Sequence, residues 1–351
     1  MKGPIALPID SENFCLEAAV PGVLDSLTFR ASPRRPPAAG QIEVAVRAAG
    51  LNFKDVLFAL GLIPLPGGVR LALGAECAGT VAAVGEEVAG LAVGDEVMAF
   101  GYGCFAPFTT CPASLAVPKP PGLSFAAAAT VPLAFTTAYL SLVKLAHLRA
   151  GERVLIHAVV GGVGMAAVQV ARRVGAEIFA TAGSEEKRRL LRAQGIEHVM
   201  DSRSLRFADE VMRATAGRGV EVVLNSLAGD FIAASLSVLA PHGRFLEIGK
   251  RDIYADTPVG LRQFERGLSF IAVNLDWTRP GFGGLWREVA ELFAAGALRP
   301  LPFELFPLDQ APAAFARMAQ ARHIGKIVLA VREEAGANAP AAAAAGVEAA
   351  P

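Results

Sequence analysis

Cysteine is scarce in this sequence. Cys15, Cys77, Cys104 and Cys111 are scattered and form no C-x-x-C pair, which excludes a disulfide scaffold and predicts reduced, mostly buried thiols in a cytoplasmic setting. An excess of one charge is also missing. Lys+Arg and Asp+Glu each total 33, a formal net charge of zero, so there is no electrostatic footprint for nucleic acid and no basic block for a membrane surface. No uncharged apolar stretch reaches the roughly 18 residues of a membrane span, and the alanine-rich stretch 126–131 is too short. Residues 1–12 lack the sustained apolar run of a signal peptide. What is present is apolar material, 53% of 351 residues, enough for a large core divided between two domains. A discrete neutral substrate, or a partner recognised locally, fits this balance.

The first third reads as short strands and turns. Residues 41–48 alternate with period two, 77–84 form an apolar run flanked by glycine, and Gly94-Asp95-Glu96 turns into a strand at 97–100. Strands broken so often by Gly or Pro predict a small β-rich domain. The character changes at Pro118-Lys119-Pro120-Pro121-Gly122. Strands are expected at 153–158, 177–181, 198–200, 221–225 and 244–248, with a sixth at 268–275, and helices at 165–174, 185–194 and 231–239. This alternation predicts an α/β fold with a doubly wound parallel sheet. A helix from Trp286 leads to 301–306 and then to 325–331, a β-like run placed to rejoin the first domain. The expected division is 1–118, 119–290 and 291–331, with 332–351 a flexible Ala/Pro-rich linker.

One turn carries a cofactor signal. The apolar run Val154-Leu155-Ile156 leads through His157-Ala158-Val159-Val160 to Gly161-Gly162-Val163-Gly164 and an Ala/Val-rich helix. Glycines let the backbone approach a pyrophosphate, and N–H groups at the helix start bind its charge. The usual first glycine of such a turn is replaced by Ala158. The second strand ends at Thr181-Ala182-Gly183-Ser184. An NAD site carries Asp or Glu there for the ribose 2′-hydroxyl. Here Ser184, with Lys187 and Arg188 one turn on, suits a 2′-phosphate, so NADPH is the expected cofactor. The alternative for Lys187 and Arg188 is a solvated helix face. His157, inside a strand, is expected to be structural.

These segments resemble a known family. Ala49-Gly50-Leu51-Asn52-Phe53-Lys54-Asp55, Leu73-Gly74-Ala75-Glu76-Cys77-Ala78-Gly79, Pro132-Leu133-Ala134-Phe135-Thr136-Thr137-Ala138-Tyr139, His157 to Gly164, Leu224-Asn225-Ser226-Leu227, Gly243-Arg244-Phe245-Leu246-Glu247-Ile248-Gly249-Lys250 and His323-Ile324-Gly325-Lys326 run in the order found in enoyl reductase domains of modular polyketide synthases and animal-type fatty acid synthases. Those domains belong to the medium-chain dehydrogenase/reductase superfamily, close to the quinone oxidoreductases. The resemblance implies a GroES-like β-rich catalytic domain built from both chain ends, with a Rossmann domain inserted between them. It implies NADPH-dependent reduction of the 2,3 double bond of an enoyl thioester carried on acyl carrier protein, among neighbouring domains of a megasynthase, and leaves room for a homodimer. Two rivals remain: a free-standing zinc-independent quinone oxidoreductase, and a cofactor-binding protein without catalysis.

No metal is expected. Zinc alcohol dehydrogenases of the superfamily place a ligand histidine where Ala75 stands, and their structural zinc needs four closely spaced cysteines. The reaction implied by the resemblance develops negative charge on the thioester oxygen and needs a proton at the α-carbon. Lys250, following a strand at the carboxyl edge of the sheet, is a candidate for either task. Family members sometimes add an aspartate some twenty residues later; Asn274 falls there, with Asp276 the nearest acid. Asn52 is placed to hydrogen-bond a ribose or the substrate carbonyl, and Lys54 and Asp55 either face the nicotinamide or pair on the surface. Thr136 and Thr137 contact the nicotinamide amide or cap a helix. Asn225, Leu227, Gly249 and Lys326 complete the expected cofactor contacts. Where many polyketide members carry a tyrosine, this chain reads Leu62-Ile63-Pro64, so that proton donor is missing.

Overall fold

The computed structural model describes residues 3–63 and 72–332; Pro64 and the tail from residue 333 lie outside them. The chain begins with an antiparallel pair, β1 (Phe14–Ala18) and β2 (Leu27–Ala31). Next come β3 (Gln41–Leu51), α1 (Phe53–Ala59), β4 (Glu76–Val84), β5 (Glu96–Phe100), β6 (Phe108–Pro112) and β7 (Ala116–Pro118). β3 is the organising strand, pairing antiparallel with both β4 and β6. Its apolar residues Ile42, Val44 and Val46 are fully buried at alternate positions, as a half-covered strand requires.

α2 (Phe125–Ala128) and α3 (Pro132–Tyr139) lead into the second sheet. With the π-helical turn after α3 they form a run, Phe125–Leu145, long and apolar enough to cross a membrane, and 72% of its most apolar 18-residue window is buried inside the protein. This corrects the sequence expectation of no such stretch. Thr130, Thr136, Ser141 and Lys144 interrupt the run in sequence without lowering its mean hydropathy enough, and the core absorbs it.

The central part alternates regularly: β8 (Arg153–Ile156), α4 (Gly162–Val174), β9 (Glu177–Ala182), α5 (Glu185–Ala193), β10 (His198–Asp201), α6 (Phe207–Ala214), β11 (Val220–Asn225), α7 (Asp230–Ser237), β12 (Leu239–Glu247), α8 (Arg251–Tyr254) and β13 (Ser269–Ala272). The sheet order is β10-β9-β8-β11-β12-β13, and every neighbouring pair is parallel. Order reverses between β8 and β11, the switch point at which such sheets open a crevice at their carboxyl ends. Leu155, Val223 and Phe245 are fully buried in adjacent strands, because helices cover both faces. β13 is shorter than the expected 268–275, ending before Val273.

The chain then returns through α9 (Phe282–Ala294), β14 (Phe303–Pro307), α10 (Ala311–Ala319) and β15 (Lys326–Ala330). β15 pairs antiparallel with β3 and parallel with β14, giving the seven-stranded sheet β14-β15-β3-β4-β5-β7 with β6 on β3. Aromatic packing joins the two sheets. Phe100 of β5 meets Phe282 and Trp286 of α9 and also Trp277, with ring centroids 5.1, 5.3 and 5.7 Å away.

Candidate active site

Parallel topology brings the turns after β8, β9, β11, β12 and β13 to one edge. After β8, Ala158 adopts φ +49°, so alanine holds the left-handed conformation for which glycine is the usual choice. Gly161 caps α4, and Gly162, Val163 and Gly164 form its first turn. A Cβ on Gly164 would lie 2.6 Å from Val159 Cα, and one on Gly162 would lie 2.8 Å from the Lys326 side chain. The backbone N–H groups of this first turn have no intrahelical acceptor. Below the turn, the His157 ring nitrogens meet the Thr181 hydroxyl at 3.0 Å and the Ser235 hydroxyl at 2.8 Å. Burial lowers the His157 pKa to about 3, so the ring is a neutral structural bridge.

At the end of β9, Ser184 caps α5 and accepts from Lys187 N. Lys187 Nζ donates to the carbonyls of Ala321 and His323 at 2.9 and 3.0 Å. Burial lowers its pKa, with repulsion from Arg203 and Arg317 adding to the effect. Arg188 is turned elsewhere: it contacts Glu185, the Ala182 carbonyl and Asp201 at 3.0, 3.1 and 3.2 Å. It braces the ends of β9 and β10. Sequence reasoning passed over Arg203, whose Nε would lie 3.1 Å from a Cβ on Gly183, beside Ser184. Its signal was a basic residue just past β10, the next strand over.

The turn after β11 is held from within. Asn225 donates to Leu227 O at 2.7 Å and to Glu247 Oε2 at 2.6 Å, and accepts from Leu227 N. Glu247 also accepts from Gly249 N at 2.6 Å, and a Cβ on Gly249 would strike that carboxylate. Asn225, Leu227 and Gly249 thus form a hydrogen-bonded shelf around a buried acid that the sequence reading left out. Burial pushes the Glu247 pKa up to about 7.

Beyond the shelf, Lys250 Nζ donates to Val273 O at 2.8 Å, which fixes its ammonium over the loop after β13. Burial lowers its pKa, and the charge of Lys54 lowers it further. Lys54 Nζ lies 5.4 Å from the Phe58 ring centroid and 5.8 Å from that of Trp277. Asn274 is exposed. Asp276 accepts from the Thr278 hydroxyl at 2.6 Å and its backbone N–H at 3.0 Å, which hold its carboxyl below the ordinary value.

Asn52, Asp55 and Lys326 serve the frame. Asp55 is buried and closes a capping box with Asn52 at the start of α1, and its other oxygen accepts from Gly74 N at 3.0 Å. Asp55 and Lys54 are therefore no surface pair. Asn52 donates to Glu76 at 2.7 Å and accepts from Lys326 Nζ at 2.7 Å. Lys326 is also ion-paired with Glu76, which accepts from Leu133 N through its second oxygen. The Lys326 ammonium is turned into this network, and only its stem lies against Gly162. Both corrections have one cause: neither side chain has a polar group left for a ribose, a carbonyl or a cofactor. Thr136 lies inside α3, whose N-cap is Val131, so it caps nothing. Its buried Oγ1 has no hydrogen-bond partner among the described residues.

These features fit a dinucleotide. A glycine turn leaves no Cβ between backbone and crevice, an orphaned hydroxyl waits at α3, and Lys187 and Arg203 flank Ser184. Among the described residues no cluster of three or more His, Cys, Asp or Glu is placed to hold a metal ion, and all four cysteines are free and buried.

Residues 38–121 match the alcohol dehydrogenase GroES-like domain family and residues 194–329 the zinc-binding dehydrogenase family. The chain is 50% identical over 320 residues, 90% of its length, to the phthioceranic/hydroxyphthioceranic acid synthase of Mycobacterium tuberculosis, and spans 15% of that protein. The crystal structure of CurK enoyl reductase is 43% identical, with a TM-score of 0.84 and coverage of 91% of this chain and 99% of that one. Mycobacterial Rv1454c, solved in complex with NADPH, is 27% identical, with a TM-score of 0.80 and coverage of 91% and 100%. The switch-point crevice, the glycine turn and an identity this high over almost the whole of a solved enoyl reductase lead to one assignment: the chain belongs to the enoyl reductases of polyketide synthases, within the medium-chain dehydrogenase/reductase superfamily.

Proposed function

We propose that the chain uses NADPH to reduce the 2,3 double bond of an enoyl thioester carried on acyl carrier protein, during polyketide chain elongation and beside other domains of a synthase. The observation that carries this reading is the meeting, at one sheet edge, of the glycine turn after β8 and Lys250 after β12, in a chain of this family. Residues 1–118 and 291–331 would form the catalytic domain and 119–290 the cofactor domain.

The N–H groups of Gly162, Val163 and Gly164 would hold the pyrophosphate, Ser184, Lys187 and Arg203 the 2′-phosphate, and Thr136 the nicotinamide end. When bound, NADPH supplies the hydride for the β-carbon of the substrate. The chain's own work is electrostatic and protic. Lys250, anchored on Val273 O, faces the developing charge on the thioester oxygen and hands a proton to the α-carbon; its lowered pKa makes it a better acid than an ordinary lysine. Lys54 adds a second positive charge beside Trp277. Asp276, held ionised by Thr278, has no proton to give at neutral pH, and Asn274 carries none.

Crotonyl thioester and a small quinone, each assayed with NADPH, test the reading. Thioester turnover is expected, and turnover of the quinone alone would overturn it. The polyketide synthase relatives disfavour the quinone rival, since a quinone oxidoreductase structure is only 28% identical. Lys250→Ala is expected to lower kcat by about 10²-fold or more while NADPH affinity is kept; unchanged turnover removes Lys250 from the mechanism. Ser184→Asp is expected to shift preference toward NADH.

A further inference from the structure

A groove of about 580 Å³ runs between the segment from Gly101 to Leu115 and the segment from Trp277 to Arg287. None of the roles above uses it. Its volume falls within the range of small-molecule sites. Trp277 joins the groove to the reaction region, since its ring lies 5.0 Å from that of Tyr102 in the groove wall and 5.8 Å from Lys54 Nζ. Among the described residues the only charged ones lining it are Arg279 and Arg287, both exposed, and no acid lines it. Asp276, whose carboxyl feels the charge of Arg279, is bound to Thr278 through one oxygen. Arg287 Nε is fastened to Gly283 O at 3.2 Å. Gly283 is pressed so closely on Ser114 that a Cβ would lie 2.7 Å from its carbonyl oxygen, whereas a Cβ on Gly284 meets nothing within 4 Å.

We infer that this groove binds the phosphopantetheine arm that carries the substrate, with the thioester end toward Trp277 and the phosphodiester at Arg279 and Arg287. The inference rests on the enoyl thioester reading. Three features support this occupant over an uncharged acyl chain. Two guanidinium groups offer forked donors suited to phosphate oxygens. Among the described residues no carboxylate lines the groove, and Asp276, which acts on Arg279 from beside it, is bound to Thr278. The aromatic end borders the lysines that would meet the thioester, so one extended ligand, amide-bearing along its length and anionic at its far end, spans the groove.

The test compares 4′-phosphopantetheine with pantetheine, binding each to the whole chain and following tryptophan fluorescence. Phosphopantetheine is expected to bind about tenfold more tightly, the order expected of one partly solvated charge-assisted hydrogen bond. Arg279→Gln combined with Arg287→Gln is expected to bring the ratio to about one. In turnover, the preference for crotonyl-phosphopantetheine over the crotonyl thioester of N-acetylcysteamine should collapse in the same variant. Gly284→Leu, whose Cβ enters space with nothing within 4 Å, should weaken both ligands. Equal binding by the wild type, or a preference that survives loss of both arginines, overturns the inference. A wild-type chain that shows the phosphate preference yet reduces no enoyl thioester keeps the groove assignment and removes the reaction; intact reduction without the preference does the reverse.

Discussion

Single residues divide into those whose chemistry is visible in sequence and those whose partners decide their role. Ala158 belongs to the first group: a missing glycine in a glycine turn announces strain, and the structure finds it at φ +49°. Ala158→Gly is expected to raise stability by about 1 kcal/mol, read as a higher urea midpoint with unchanged m; no gain would mean that the turn relaxes around alanine. His157 belongs to the second group. Its folded pKa, about 3, lies below its ordinary 6.5, so the unfolded chain binds the extra proton between those values. The stability that this neutral ring contributes is complete above about pH 6.5 and is lost as pH falls toward 3. Glu247 works the other way. Its pKa is raised from 4.5 to about 7, so its contribution is complete below pH 4.5 and is lost as pH rises through 7. Replacing His157 with Gln should therefore make the slope of stability against pH, between 5 and 6, less positive by about 1.4 kcal/mol per unit. Urea titrations across that window decide it, and an unchanged slope would place the proton uptake elsewhere.

At the scale of elements, α4 and the strand before it were legible because an apolar run, a glycine turn and an Ala/Val helix leave few other solutions. The use of each glycine was not. Gly164 faces backbone and Gly161 faces almost nothing, its Cβ meeting only Ala158 O at 3.5 Å. Gly164→Ala is expected to cost about 1–3 kcal/mol through overpacking and to weaken NADPH binding, whereas Gly161→Ala should leave the melting temperature near that of the wild type; equal losses would show that the turn yields as a unit. α3 was harder to place. It begins with Pro132, a residue suited to the first helical turn, so Thr136 and Thr137 lie inside the helix. α1 shows a capping box in its sequence, Asn52-x-x-Asp55, but only burial reveals that Asp55 also anchors Gly74.

For the molecule as a whole, the decisive connection is the return of β15 to β3. It brings Lys326 against Asn52 and Glu76 and stacks its stem on Gly162, so the cofactor turn and the first sheet share one buried ion pair. Lys326→Met would leave Glu76 charged, buried and unpaired, at an expected cost of about 3–5 kcal/mol. Adding Glu76→Gln to that variant should recover part of the loss. Urea unfolding of the two single variants and the double variant measures the coupling, and strict additivity would show that the pair does not act as one.

The order of strands and helices, the cofactor turn and the position of Lys250 were determined by the sequence itself, because hydrophobic period, glycine placement and strand-end position are local properties of the chain. Tertiary structure alone decided which polar side chains remain available for chemistry. Asn52, Asn225, Arg188 and Lys326 looked like ligands because their types and positions suit ligand binding. Folding gave Asn52 and Lys326 buried partners from segments distant in sequence, and braced Asn225 against Leu227 and Glu247 and Arg188 against Glu185, Ala182 and Asp201; a group already paired in a low-dielectric interior is not free for a substrate. The same packing fastened Lys250 to Val273 O, set Lys54 near Trp277, brought Arg203 beside Gly183, and opened the groove beside Trp277. Most of these outcomes depend on contacts between segments far apart in the chain, which the local pattern of residues does not record.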